Sequence, residues 1–275
     1  MNNYFRISVI FILILFCHTN GSAVTKKQPG LPYDTAKFEV IYRHVSKDPV
    51  WGTTRLREEM LFIGDSIMRY GGYVDFKVDS IVQENKKSGI EISVEERVKL
   101  DRELGSGLSE YMYTNSNKGE IDFYGYMMAN LYKYSEPIPE FDWSLTEETE
   151  NILGYECTKA TTKWRGREWN VWFCDIPVDG GPWKFSGLPG LILKVEDSEG
   201  YHSIQAIETR KDILPIKRAP TFIVKTDRKK YNRLFEESRV NAGEMLINSG
   251  MVKMTEEQKK EMRKRRLFYS PIELE

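Results

Sequence analysis

Four carboxylates stand close together in the sequence, at Asp175, Asp179, Glu196 and Asp197. Glycoside hydrolysis needs two carboxyl groups in different environments, one to give a proton and one to act as base or nucleophile. Sequence spacing alone fixes no separation for this quartet, and carboxylates at turns are more often simply solvated. His44 and His202, the two histidines beyond the first twenty-three residues, lie far apart in the chain. With no His-Glu-x-x-His and no cluster at ligand spacing, neither a metal site nor a cofactor is expected. Cys157 and Cys174 offer a third kind of chemistry. The chain between them reads as two strands turning at Arg165-Gly166, and with a two-residue loop cross-strand partners have numbers summing to 331, as 157 and 174 do. The thiols then face each other at a non-hydrogen-bonded position, where Cα atoms approach to ~4.5 Å, the lower edge of disulfide geometry. The same register sets Lys163 against Glu168 and gathers Ala160, Val171 and Phe173 on the other face. A structural Cys157–Cys174 disulfide is expected, with two buried thiols as the alternative.

Leu61-Phe62-Ile63-Gly64-Asp65-Ser66-Ile67-Met68 resembles the first block of GDS-type lipases and esterases. The resemblance implies Ser66 as a nucleophile, which needs a base within hydrogen-bond reach. Neither histidine lies in the Asp-x-x-His that supplies that base; Glu199-Gly-Tyr-His202 is the nearest approach. Gly64-Asp65 is accordingly expected to be a turn between strands.

The densest local signal runs from Ile176 to Glu196. Gly180, Gly181, Gly187 and Gly190 alternate there with Pro177, Pro182 and Pro189, so that the backbone is freed at some positions and fixed at others. Such a segment specifies one irregular path and carries Trp183 and Phe185 along it. Ser186-Gly-Leu-Pro-Gly-Leu-Ile192, after Gly181-Pro-Trp-Lys-Phe185, resembles the signature of the GLPGLI family, secreted proteins of Bacteroidota with no established activity. The terminal Ser270-Pro-Ile-Glu273 resembles that family's closing Asn-Pro-Ile-Glu. Trp183, Phe185, Leu188 and Pro189 are the candidate ligand-binding residues; the alternative is that the segment wedges into the core.

At the other end of the chain, Arg6 precedes an apolar run from Ile7 to Cys17 broken only by Ser8, and Gly21-Ser22-Ala23 supplies small residues for cleavage. Residues 1–23 therefore read as a secretory signal too short to span a bilayer, which places the protein in the periplasm or outside the cell. The formal net charge of −1 creates no field that would recruit nucleic acid. A basic run at Lys259, Lys260, Arg263, Lys264, Arg265 and Arg266 is diluted by Glu256, Glu257 and Glu261, and contact with anionic lipid headgroups is its candidate role.

These groups need elements to position them. Alternation predicts strands over Lys37–His44, Glu58–Gly64, Leu108–Asn115, Glu120–Met128, Leu131–Tyr134, the two flanking Arg165-Gly166, Leu191–Glu196 and Tyr201–Thr209. Val74, Val78, Ile81 and Val82 predict a helix over Tyr73–Ser88, and Ser93-Val-Glu-Glu opens another like a capping box. Tyr231, Leu234, Phe235, Ser238, Ala242, Met245 and Leu246 trace one face of a late helix ended by Gly250. The expected fold is α+β: an antiparallel, strongly curved sheet or half-barrel of meander hairpins, covered by helices, with the C-terminal helix packed on it. Residues 24–36 form a leader, 37–250 a single domain and 251–275 a charged extension. The expected function is a non-enzymatic envelope protein binding a small or lipid-like ligand or a protein partner; the alternative is a secreted hydrolase of peptide, ester or glycan bonds.

Overall fold

The computed structural model describes residues 33–49, 52, 54–93, 95–96, 99–100, 110–127, 130–248, 255–260 and 271–274. The expected signal segment, Leu108, Met128, Gly250 and the basic residues Arg263 to Arg266 lie outside them.

Strands β1 (Asp34–Ala36), β2 (Phe38–Lys47), β3 (Thr54–Ile63) and β4 (Ile67–Gly72) lead into helix α1 (Tyr73–Lys87). Then come β5 (Tyr111–Asn115), β6 (Glu120–Met127) and β7 (Asn130–Pro137). Another run follows, β8 (Ser144–Ile152), β9 (Tyr155–Trp164), β10 (Arg167–Cys174), β11 (Leu191–Asp197) and β12 (His202–Arg210). Short β13 (Leu214–Ile216) and β14 (Val224–Lys225) precede helix α2 (Arg228–Asn248). The protein is thus rich in sheet with few helices. Among the described residues, twelve strands form one open sheet in the order β14-β7-β6-β5-β4-β3-β2-β12-β11-β10-β9-β8, while β1 pairs with β13.

That order is two antiparallel meanders joined at one seam. β2 to β7 run in sequence order, β8 to β12 do the same, and β2 pairs with β12 to unite them. Because side chains alternate across a strand, the strands of the β2–β7 meander feed two cores. Val40, Tyr42, Leu61, Phe123, Val171 and Ile204 belong to one, on what we call the inner face. Ile41, Met60, Phe62, Tyr113 and Leu131 belong to the other, on the outer face. Tyr73 and Phe76 of α1 join the outer core, with the Phe76 ring 5.0 Å from that of Phe62. Tyr231, Leu234 and Phe235 of α2 join the inner one; the side chains of Ala242, Met245 and Leu246 are outside the described residues.

Most of the expected elements form. α1 ends at Ser88 and Gly89, the latter at φ +78°, where the sequence places its stop. Ser93 and Glu96 exchange the two hydrogen bonds of a capping box. The Gly64–Ser66 turn joins β3 to β4, its backbone N–H groups at Ser66 and Ile67 both donating to Asp34 at 2.9 Å. β4 and β8 are additions to the expected set. β8 reads Ser-Leu-Thr-Glu-Glu-Thr-Glu-Asn-Ile, an edge strand whose exposed charges hide any apolar alternation and guard the edge against further pairing.

Cys157 and Cys174 are register partners across β9 and β10, as the turn count demands, and Lys163 meets Glu168 at 2.7 Å. Both cysteines are buried as free thiols, so the expected bridge is not formed here. The contact between the facing thiols pushes the Cys157 thiol up and the Cys174 thiol down, and Cys157 Sγ donates to the Tyr155 carbonyl at 3.5 Å.

Candidate active site

The inner face changes character along β2 and β3. Reading from the apolar end, the inward residues of β2 are Val40, Tyr42, His44 and Ser46, and those of β3 are Ile63, Leu61, Glu59, Arg57 and Arg55. Register pairs them as Val40–Leu61, Tyr42–Glu59, His44–Arg57 and Ser46–Arg55. One end of the hairpin is therefore core, and the other end sets charged and polar groups on the same face.

Those groups form a connected chain. The Tyr70 hydroxyl, from β4, donates to Glu59. The other Glu59 oxygen lies 3.3 Å from His44 Nδ1, and His44 Nε2 lies 3.2 Å from His202 Nδ1 across the seam. Arg57 approaches His44 at 3.3 Å and Glu59 at 3.7 Å. His44 is 1% and His202 3% exposed, so the pair is held inside the protein. Burial alone would raise the Glu59 pKa, but His44, Arg57 and the Tyr70 hydroxyl outweigh it and bring it down to about 2. His44 Nδ1 faces both the Glu59 carboxylate and the Arg57 guanidinium, and His44 Nε2 faces His202 Nδ1; which nitrogen donates in each contact follows the tautomer. A carboxylate that orients an imidazole is the logic of hydrolase triads.

His202 lines a cavity of about 310 Å³, a size suited to a ligand. Ser46, Arg55, Arg57 and Glu110 line it as well, with Phe123 and Tyr134 from β6 and β7. Tyr231 and Phe235 from α2, Trp183 and the segment 271–274 complete the wall. Glu110 lies just before β5 and accepts a 3.2 Å hydrogen bond from the Tyr231 hydroxyl. Its pKa is raised, because burial outweighs the attraction of Arg57 and Lys184 and the Tyr231 bond, and the Glu59 charge adds to the rise. Two carboxyls within each other's field thus have pKa values moved in opposite directions, the pattern that assigns an acid and a charged partner in hydrolytic sites.

Gly125 makes room for this arrangement: a Cβ there would collide with the Tyr231 hydroxyl and ring. Below the aromatic wall, Lys184 is buried with its ammonium 2.5 Å from Glu136 and 2.6 Å from Glu273. Glu273 also accepts from the Trp183 indole at 2.9 Å. Arg167 holds the carbonyl of Pro271 and pairs with Asp197 at 2.8 Å, and Asp197 in turn accepts from the His202 backbone N–H at 2.8 Å. The 271–274 segment is in this way tied to the strand that carries His202.

The ligand-binding candidates divide. Trp183 lines the cavity, at the left-handed φ of +56° that non-glycine residues seldom adopt. Phe185 is 1% exposed, with its ring 5.0 Å from Trp169 and 5.6 Å from Phe141, and Leu188 is also buried in the inner core. Pro189 is exposed and is not part of the cavity wall. The segment turns back on β10 and β11 through backbone bonds from Leu191 to Ile176 and from Ile192 to Gly180. At Gly190 a Cβ would overlap the carbonyl oxygen of Cys174.

The expected carboxylate quartet does not assemble. Asp179 accepts from the Gly187 backbone, Glu196 from the Ser203 hydroxyl, and Asp197 is committed to Arg167. Ser66 sits beyond the far end of β3, whose last residue Ile63 is six residues and about 20 Å of strand from Arg57. Glu59 and Glu110, which no motif singles out, are instead the carboxyls found beside His44 and in the cavity wall. Their only sequence signal is the polar alternation of β3, since Glu110 is brought in by sheet pairing. Among the described residues no group of three or more His, Cys, Asp and Glu could hold a metal ion, and no helix is long and apolar enough to cross a membrane.

Residues 129–234 match the family model "N-glycanase peptide, N-terminal domain". Two solved structures of PNGF-II, in the P21 and C2 space groups, are similar over 75% of this chain at 19% identity and a TM-score of 0.50. The chain covers 34% and 33% of them, so it spans about a third of their length. No curated protein matches. The matched stretch contains Trp183, His202 and Tyr231, while His44, Glu59 and Glu110 lie before it. These findings correct two expectations. The resemblance to the GLPGLI family is overturned, because the family model that matches is the N-glycanase domain and the Gly/Pro signature lies within that match. The reading as a non-enzymatic ligand-binding envelope protein falls with it. The likeness to the PNGF-II structures establishes a shared fold.

Proposed function

We propose that this chain is part of a secreted glycan hydrolase acting on glycoprotein substrates. The observation that carries the reading is the pair of carboxyls, Glu110 raised and Glu59 lowered, beside two linked histidines in an aromatic-walled cavity. The match to an N-glycanase domain supplies the substrate class. In this mechanism Glu110 is the protonated acid, and His202, oriented by His44 and Glu59, is the base. A water gives its proton to His202 Nε2 and attacks the linkage carbon while Glu110 passes its own proton to the leaving atom. Arg57 and the Glu59 carboxylate balance the charge left behind. Trp183, Phe123 and Tyr231 offer ring faces to the apolar side of a sugar.

The same reading includes export directed by residues 1–23, a leader over 24–36, a single domain over 37–250 and a charged extension over 251–275. The sheet is a strongly curved half-barrel whose inner face is the cavity floor. Cys157 and Cys174 oxidise to a disulfide after export, and the basic stretch from Lys259 onward makes peripheral contact with anionic lipid.

Incubation of the protein with N-glycosylated peptides, followed by mass spectrometry of released glycan, tests the assignment. Release that is lost in both Glu110→Gln and His202→Asn supports it. Release that persists in Glu110→Gln, or none from any glycopeptide by the unaltered protein, overturns it.

A further inference from the structure

The register of the seam puts another feature beside the acid–base chain. Arg55 of β3 pairs with Ser46 of β2, and Ser46 pairs with His202 of β12, so guanidinium, hydroxyl and imidazole stand in one row across three strands. All three line the cavity. The next row inward holds Arg57 and His44. Neighbouring strands lie ~4.8 Å apart, and Arg55 and Arg57, two residues apart on one face, are separated by ~6.8 Å of strand. The two arginines are differently committed. Arg57 shares its guanidinium with His44 and Glu59, whereas among the described residues no carboxylate lies within ion-pair distance of Arg55, whose side chain is exposed to the cavity mouth. A guanidinium fork that no described carboxylate neutralises, next to a hydroxyl and a further guanidinium, is a fit for an external carboxylate or sulfate.

We infer that Arg55, with Ser46 and Arg57, forms a subsite for an anionic substituent, so that the preferred substrate is a glycan bearing an acidic sugar beside the linkage presented to Glu110 and His202. The inference rests on the glycan-hydrolase reading and adds the charge of its substrate. Carboxylate, as in sialic or uronic acids, and sulfate esters share the required chemistry. A bidentate guanidinium contact adds orientation as well as attraction, which aligns the neighbouring sugar with the acid and base. The contact lies at an exposed mouth and is therefore weakened by salt.

The test uses the unaltered full chain and one peptide carrying three glycans: sialylated, desialylated and sulfated. Turnover is read as kcat/KM and binding by isothermal titration calorimetry. The expected result is a preference of about tenfold or more for an acidic glycan over the neutral one, the scale of one charge-assisted contact. The preference should shrink as salt rises from ~50 to ~500 mM, collapse toward one in Arg55→Gln and survive in part in Arg55→Lys. Preference for the sialylated or for the sulfated peptide identifies the anion. Equal kcat/KM for acidic and neutral glycans overturns the subsite and leaves the hydrolase reading intact. Arg55-dependent binding of an acidic glycan without turnover keeps the subsite and rejects the hydrolase reading, and binding of no glycan rejects the subsite.

Discussion

The Gly/Pro segment from Ile176 to Gly190 and the charged ends of β2 and β3 make opposite uses of their sequence. The Gly/Pro segment is conspicuous by composition, yet Phe185 and Leu188 are core and the glycines allow close backbone approach, so its specificity serves shape. The strand ends have the pattern of an ordinary half-buried hairpin, yet they carry Glu59, His44, Arg57 and Arg55 on one face. Unusual backbone chemistry marks where a chain must be rigid. Polar residues on the inward side of a strand mark where it gives up core area for something else.

Substitution can break this contrast. Glu110→Gln should lower glycan release by roughly 10²–10⁴-fold, the usual worth of a positioned acid, while thermal unfolding shifts little. A comparable loss of fold would make Glu110 structural. In contrast, Phe185→Ala should cost ~3–5 kcal/mol of stability by leaving a cavity among Trp169, Trp164 and Phe141, as read by denaturant titration. A cost under ~1 kcal/mol would undo its assignment to the core.

The charged end also has a pH signature. Glu59 has a folded pKa of about 2, below its ordinary 4.5, so its contribution is complete above pH 4.5 and is lost as pH falls through about 2. The shift corresponds to at most about 3 kcal/mol. Acid unfolding of Glu59→Gln should lack that part of the slope; identical profiles would mean the carboxylate is not held by His44 and Arg57. Trp183→Phe is the mildest probe. It removes the indole donor to Glu273 and should raise KM severalfold at a stability cost of ~1 kcal/mol, sharing a little in both regions. Unchanged KM would assign Trp183 wholly to the scaffold.

Much of the fold is legible in the sequence because it is local. The register from Arg165-Gly166 follows from one turn, and the stop of α1 at Ser88-Gly89 from one glycine. β4 gives little signal because it is short and ends in Gly71-Gly72, and β8 because Glu147, Glu148 and Glu150 interrupt its apolar pattern. The site is half legible. The inward row of β3 follows from alternation, and the two histidines stand out by their rarity. Their meeting depends on β2 finding β12, and the position of Glu110 depends on β5 pairing with β4, and neither pairing has a local signal. Serine and carboxylates near turns form the more conspicuous motifs, while the groups that assemble lie within or beside strands.

The seam has a kinetic consequence. Each meander is built from neighbours in sequence, but β2 and β12 are joined across an interval of 158 residues between His44 and His202. Loop closure over such a distance is slow relative to hairpin formation, which makes this junction a natural late event in folding. Because the imidazole pair spans it, a chain whose two meanders have formed without joining has Glu59 and His44 on one piece and His202 on the other. Activity then becomes a readout of the last step of assembly, and recovery of turnover after dilution from denaturant should lag behind recovery of β-sheet circular dichroism.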